Sequence, residues 1–144
     1  MDVSAGALQG GEITMDDAAL VFVPGLNCTP ALFAPQLAAI GAGRLTLCVD
    51  HTRDDSIAAI AARFLQDAPR RFALAGLSLG GYVAFEIVRQ APERVTRLAL
   101  LDTRASGDTP DDKARRQRLI AFAEQGRFED VHGVLWQRLV HPDR

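Results

Sequence analysis

Four short apolar runs mark the chain. They are "ALVFV" (19–23), "LTLCV" (45–49), "FALAGL" (72–77) and "VTRLALL" (95–101). Each is continuous rather than alternating, which predicts strands buried on both faces, as in a parallel sheet. Each also ends at a residue of another kind: Pro24-Gly25, Asp50, Ser78 and Asp102.

Between these runs the apolar period lengthens to that of a helix. Thr29 predicts a cap with Pro30 at the first helical position, followed by a face of Phe33, Leu37 and Ile40 that ends at Gly41. Ser56 predicts the next cap. Ile57, Ile60, Ala61, Phe64 and Leu65 follow at helical spacing, and Pro69 stops them. The segment after Ser78 (Tyr82, Val83, Phe85, Ile87, Val88) is apolar nearly all round, so it is expected to be a buried helix, ended by Pro92. Strand and helix alternating in this way predict an α/β fold of right-handed βαβ units: a doubly wound, mostly parallel sheet with helices on both faces. In such sheets ligands bind beyond the carboxyl ends of the strands. Gly25, Asp50, Ser78 and Asp102 all fall there.

The rhythm breaks after residue 103. Thr109 caps a helix with Pro110 at its first position, and Asp111 and Asp112 suit the positive end of its dipole. Leu119, Ile120 and Phe122 give that helix an apolar stripe. A last helix carries Phe128, Val131, Leu135 and Leu139. Two amphipathic helices with no strand between them read as the start of an appended helical cap. The expected organisation is therefore a loose leader over 1–18, an α/β core over 19–103 and the cap segment over 104–144. The leader is Gly-rich and without period, which predicts disorder. Met15 stands just before the first strand, so the functional start at Met1 or Met15 stays open.

Composition narrows the function. At 144 residues, with 48 % hydrophobic and 24 % charged residues, the chain suits one globular domain. A net charge of −2 gives no case for nucleic acid or an acidic membrane as partner. No apolar run reaches the roughly 18 residues a membrane helix needs. The first 19 residues carry neither Lys nor Arg and no apolar core of a signal peptide, so the expected location is cytoplasmic. Cys28 and Cys48 form no disulfide framework and lack metal-ligand spacing; no metal or cofactor is expected. Cys28 is expected to line a pocket.

The chemistry centres on Gly76-Leu77-Ser78-Leu79-Gly80, which fits G-x-S-x-G after a strand and before a helix. In that context a serine is forced into a strained turn, its neighbours must be small, and its hydroxyl stands above the sheet. The turn also leaves the Leu79 N–H at a helix start, aimed at any nearby oxyanion. A glycine-rich turn that binds phosphate or merely packs is the competing reading.

From about residue 19 to its end, the chain resembles the α/β-hydrolase superfamily, in the branch with a helical cap. "VFVPGLNCTPALFAPQL" looks like that family's third strand and oxyanion loop, with Gly25, Phe33 and Gln36 matching and Pro24 where histidine is usual. "VDHTRDDS" is similar to the segment after strand four, without its glycines. "GLSLGGYVAFEIVRQAPERVTRLALLDT" closely resembles the nucleophile elbow, its helix and the sixth strand. The resemblance implies a serine hydrolase of a small-molecule acyl substrate such as an ester or lactone. Ser78 would attack the carbonyl, and the Leu26 and Leu79 N–H groups would form the oxyanion hole. It also implies that the triad acid and histidine follow the seventh and eighth strands, so this chain is expected to hold only the N-terminal half of the fold. Asp102 ends the sixth strand, where a minority of the family carries its acid; a loop-capping aspartate is the plainer reading. His51, His132 and His141 are the histidines at hand, and His51 is topologically the nearest. The alternative functions are a catalytically inactive remnant and an anion-binding module of the same fold. An incomplete sheet would leave the sixth strand as an open edge, which predicts self-association.

Overall fold

The computed structural model describes residues 19–139, 141 and 143. The expected leader over 1–18, and with it the question of Met1 or Met15, lies outside the described residues. Four strands, β1 (Ala19–Val23), β2 (Thr46–Cys48), β3 (Phe72–Leu77) and β4 (Val95–Leu101), form one sheet in the order β2-β1-β3-β4. All three pairings are parallel. The helices between them are α1 (Ala34–Ile40), α2 (Ile57–Asp67) and α3 (Leu79–Gln90). This is the α/β architecture that the alternating pattern predicts. α4 (Pro110–Glu124) and α5 (Phe128–Leu139) follow. The chain divides into two compact units between Ala105 and Ser106.

The core of the first unit lies on one face of the sheet. Val21, Val23, Phe72 and Leu74 point from β1 and β3 onto Ile60 and Ala61 of α2 and Val83, Ala84 and Ile87 of α3. Phe22 points to the opposite face and stacks on Phe33, their ring centroids 4.8 Å apart, in the turn leading into α1. Ser56 caps α2 by accepting the Ala59 N–H. Arg94 donates to the carbonyls of Leu65, Ala68 and Pro69 and lies over the Phe72 ring, which ties the end of α2 to the start of β4.

Four expectations for the first unit need correction. The continuous run in β4 predicts burial on both faces, yet Leu98, Leu100 and Leu101 are each more than 40 % exposed, because β4 has no neighbour on its outer side among the described residues. The predicted helix after Thr29 is split. Residues 30–33 form a 3₁₀ turn, Thr29 makes no side-chain cap, and α1 begins only at Ala34. Pro35 explains the break, since it has no N–H to continue the ladder to Ala31. Ile40, placed on the buried face, is 55 % exposed. β2 is also shorter than 45–49, although Leu20 N–H to Leu45 O and Val49 N–H to Phe22 O, both 2.8 Å, carry its ladder one residue further at each end.

In the second unit Thr109 and Asp112 form a full capping box at the start of α4. Asp112 is buried and also receives Arg115 at 2.5 Å. Leu119 and Phe122 are half-buried and Val131 is buried, but Ile120 is exposed and falls off the predicted stripe. Gly126, at φ 73°, turns the chain between α4 and α5. No helix among the described residues is long and apolar enough to cross a membrane.

Candidate active site

Ser78 sits where β3 ends and α3 begins, with φ 52° and ψ −113°. L-residues with a side chain avoid that region, at a cost of about 1–3 kcal/mol. Three bonds hold the residue there. Its N–H donates to Leu101 O at 2.9 Å, which continues the β3–β4 ladder. Its carbonyl accepts the Gly81 N–H and the Thr103 hydroxyl, both at 2.9 Å. The flanking glycines make room. A Cβ on Gly76 would run into the Gly80 carbonyl, and one on Gly80 into the Val23 and Pro24 backbone. Ser78→Gly is therefore expected to raise stability by about 1 kcal/mol over both wild type and Ser78→Ala, as glycine relieves the torsion and alanine does not. Urea midpoints of the three chains measure this; equal midpoints for Gly and Ala would mean the turn stores no strain.

The loop after β1 lies against this turn. A Cβ on Gly25 would be 3.5 Å from Ser78 Cβ and 3.6 Å from Cys28 Sγ. Cys28 N–H closes a turn onto Gly25 O at 3.1 Å, with Asn27 at φ 59° inside it, a conformation asparagine tolerates. Leu26, in the same turn, is 46 % exposed. Neither the Leu26 N–H nor the Leu79 N–H is spent on a backbone carbonyl among the described residues. Leu79 is the first residue of α3, where a helix has no acceptor of its own to offer.

The histidines are used otherwise. His51 Nε2 lies 3.0 Å from Gly25 O. A carbonyl only accepts, so Nε2 carries the proton and His51 straps the Gly25 loop to the end of β2. His132 stacks on Trp136 in α5, and His141 is exposed beside Asp143. No described residue makes a hydrogen bond to Ser78 Oγ. Asp102, at φ 43°, is exposed at the end of β4 and bonds to no described histidine, so an acid role for it rests on the resemblance alone.

Next to the Gly25 loop is a cavity of about 160 Å³ lined by Pro24, Cys28, Thr29, Cys48, Val49 and His51, among others. Burial and the neighbouring Asp50 charge push the Cys48 thiol up, so it stays protonated near neutral pH. The Thr52 hydroxyl and N–H hold the Asp50 carboxyl below its usual range. A larger hollow of about 630 Å³, bounded by Arg70, Arg71, Glu93 and Arg94, lies at the opposite, amino ends of β3 and β4. Among the described residues no group of three or more His, Cys, Asp or Glu is placed to hold a metal ion.

No family model matches the sequence, and no curated protein matches it. Solved structures do. An esterase from Thermogutta terrifontis, a thermophilic enzyme solved with malate bound, shares 26 % identity at a TM-score of 0.65, over 85 % of this chain and 48 % of its own. Cfl2 from Burkholderia cenocepacia shares 22 % identity at a TM-score of 0.51, over 75 % and 44 %, a likeness of fold alone. The chain has a hydrolase-like α/β fold. It spans less than half the length of either structure.

The sequence missed Thr103 in this site, and the role of His51, which it names as the nearest histidine. Thr103, whose hydroxyl pins the Ser78 carbonyl, follows a strand-end aspartate and carries no local signature. Its only trace is the second glycine of Gly80-Gly81, since a Cβ on Gly81 would strike the Thr103 side chain. The bond from His51 to Gly25 spans 26 positions and has no sequence pattern at all.

Proposed function

We propose that this chain carries the nucleophile of an α/β-fold serine hydrolase acting on a small ester, lactone or similar acyl compound. The observation behind this reading is the Ser78 backbone, a serine held at φ 52° between a strand and a helix, with two unspent N–H groups in the segments around it. In this reading Ser78 Oγ attacks the substrate carbonyl. The oxyanion forms against the Leu26 and Leu79 N–H groups, and the leaving group departs to give an acyl-Ser78 that water then hydrolyses. The Oγ proton needs a base. His51 has its Nε2 committed to Gly25, so the reading assigns base and acid to groups beyond residue 144, and takes α4 and α5 as the start of a cap. A serine without its base loses about a millionfold in kcat.

The test is intact-mass labelling with a fluorophosphonate, wild type beside Ser78→Ala. Slow single-site labelling at Ser78 that vanishes in Ser78→Ala is the expected result. Labelling that persists in Ser78→Ala overturns the reading. Fast labelling would place a base within the chain, to be sought by replacing His51, His132 and His141 in turn.

A second reading, an anion-binding module, is favoured by the absence of any described hydrogen bond to Ser78 Oγ beside those free N–H groups. Phosphate binding that survives Ser78→Ala would support it, because the backbone would carry the binding.

A further inference from the structure

We propose that His51 and Thr103 are positioning residues for the oxyanion hole, each clamping the carbonyl of a peptide group whose N–H serves the oxyanion. The proposal rests on the reading of Ser78 as nucleophile and of the Leu26 and Leu79 N–H groups as oxyanion donors. Each of those N–H groups shares a peptide plane with a carbonyl, Gly25 O in one case and Ser78 O in the other. The two carbonyls are held in the same way. Gly25 O accepts the Cys28 N–H at 3.1 Å and the His51 Nε2–H at 3.0 Å. Ser78 O accepts the Gly81 N–H and the Thr103 hydroxyl, both at 2.9 Å. In each pair one donor is the main chain three residues on. The other is a side chain just beyond a neighbouring strand, β2 for His51 and β4 for Thr103.

A peptide group is planar, and in the trans form its C=O and N–H point in opposite directions. No peptide bond among the described residues is cis. Two donors on the carbonyl therefore fix the line along which the N–H points. They also polarise the peptide and strengthen its N–H as a donor. Such preorganisation is what stabilises an oxyanion, because nothing has to reorient as the charge forms. The Gly25 turn needs the second donor, since Leu26 is 46 % exposed and the Cys28 N–H bond alone would let its peptide rock. A side chain can position a peptide only if it is itself fixed, and both are. Val49 N–H bonds to Phe22 O at 2.8 Å two residues before His51, and the Asp50 carboxylate closes a turn around His51 by accepting the Thr52 N–H at 3.0 Å. Arg63 of α2 donates to Asp50 O. Two residues before Thr103, Leu101 O accepts the Ser78 N–H, and the Thr103 side chain packs where a Cβ on Gly81 would fall.

The test compares rates of fluorophosphonate labelling at Ser78, read by intact mass. Removing an oxyanion donor outright costs about 10²–10³-fold, so releasing one from its clamp is expected to cost at least about tenfold. His51→Phe and Thr103→Val keep the shape of the side chain and remove the donor; each is expected to slow labelling by that factor with the far-UV circular dichroism unchanged. His51→Gln and Thr103→Ser keep a donor in place and are expected to recover the rate to within about threefold of wild type. A glutamine amide cannot take up a proton from Ser78, so its rescue separates a clamp from a base. The amide nitrogen resonances give a readout independent of labelling. Leu26 is expected to shift in His51→Phe and to return in His51→Gln, and Leu79 to do the same for Thr103→Val and Thr103→Ser. If His51→Phe fails to fold, His51→Asn, whose amide is too short to reach Gly25 O, takes its place. Labelling confined to Ser78 but equally fast in the donor-less variants, His51→Gln as slow as His51→Phe, or unmoved Leu26 and Leu79 resonances overturns the clamps and leaves the nucleophile standing. Labelling that persists in Ser78→Ala removes the nucleophile, and the clamps with it.

Discussion

Gly80→Ala is expected to cost more than about 3 kcal/mol, a large share of an ordinary domain stability of about 5–15 kcal/mol. The added methyl would sit 2.7 Å from the Val23 carbonyl carbon and 2.9 Å from Pro24 O. Both are backbone atoms at the end of β1, so no rotamer change relieves the clash. α3 would have to back away from β1, carrying with it Val83, Ala84 and Ile87, all fully buried. Overpacking between side chains costs about 1–3 kcal/mol, and a clash with backbone exceeds that. Gly133→Ala is the control. Nothing lies within 4 Å of a Cβ there, and a glycine inside α5 weakens it, so alanine is expected to stabilise by about 1 kcal/mol. Urea unfolding followed by circular dichroism reads both; a Gly80→Ala midpoint within error of wild type would mean that the close approach of α3 to β1 is not needed for folding.

The same contact explains which parts of the molecule were legible in the sequence. Ser56 and Thr109 announced helix starts, because a cap is a local contact between residues three apart. The G-x-S-x-G spacing announced the turn at Ser78, because Gly76 and Gly80 meet each other within one turn of chain. The burial of β4 was not legible. Leu98, Leu100 and Leu101 are as apolar as the residues of the buried run in β1, and burial depends on what lies beside a strand, which its own residues do not encode. Pro35 was legible in principle, as a missing donor inside a predicted helix, but the nearer proline, Pro30, offered a plausible helix start. Thr103 and His51 act across 25 and 26 positions through single hydrogen bonds, below any periodic signal.

Phe72→Ala is expected to cost about 3–5 kcal/mol, the range for removing a large aromatic side chain from a core. Phe72 opens β3, the strand that delivers Ser78 at its other end, and it is fully buried. It lies edge-on to Phe64 of α2, with ring centroids 5.5 Å apart, and under the Arg94 guanidinium at 5.9 Å. Its truncation therefore opens a cavity between sheet and α2 and also removes the surface on which Arg94 rests. The neighbouring pair Leu74 and Leu98 sets the scale. They are directly paired across β3 and β4 and face the same side, but Leu74 is 2 % exposed and Leu98 is 42 % exposed. Leu74→Ala is expected to lose about 2–5 kcal/mol and Leu98→Ala under about 1 kcal/mol. Urea unfolding of the three variants followed by circular dichroism gives the values. A Leu98→Ala cost as large as that of Leu74→Ala would mean that burial within the described residues does not set the cost at this pair, and that Leu98 is covered by something other than β3, α2 and α3.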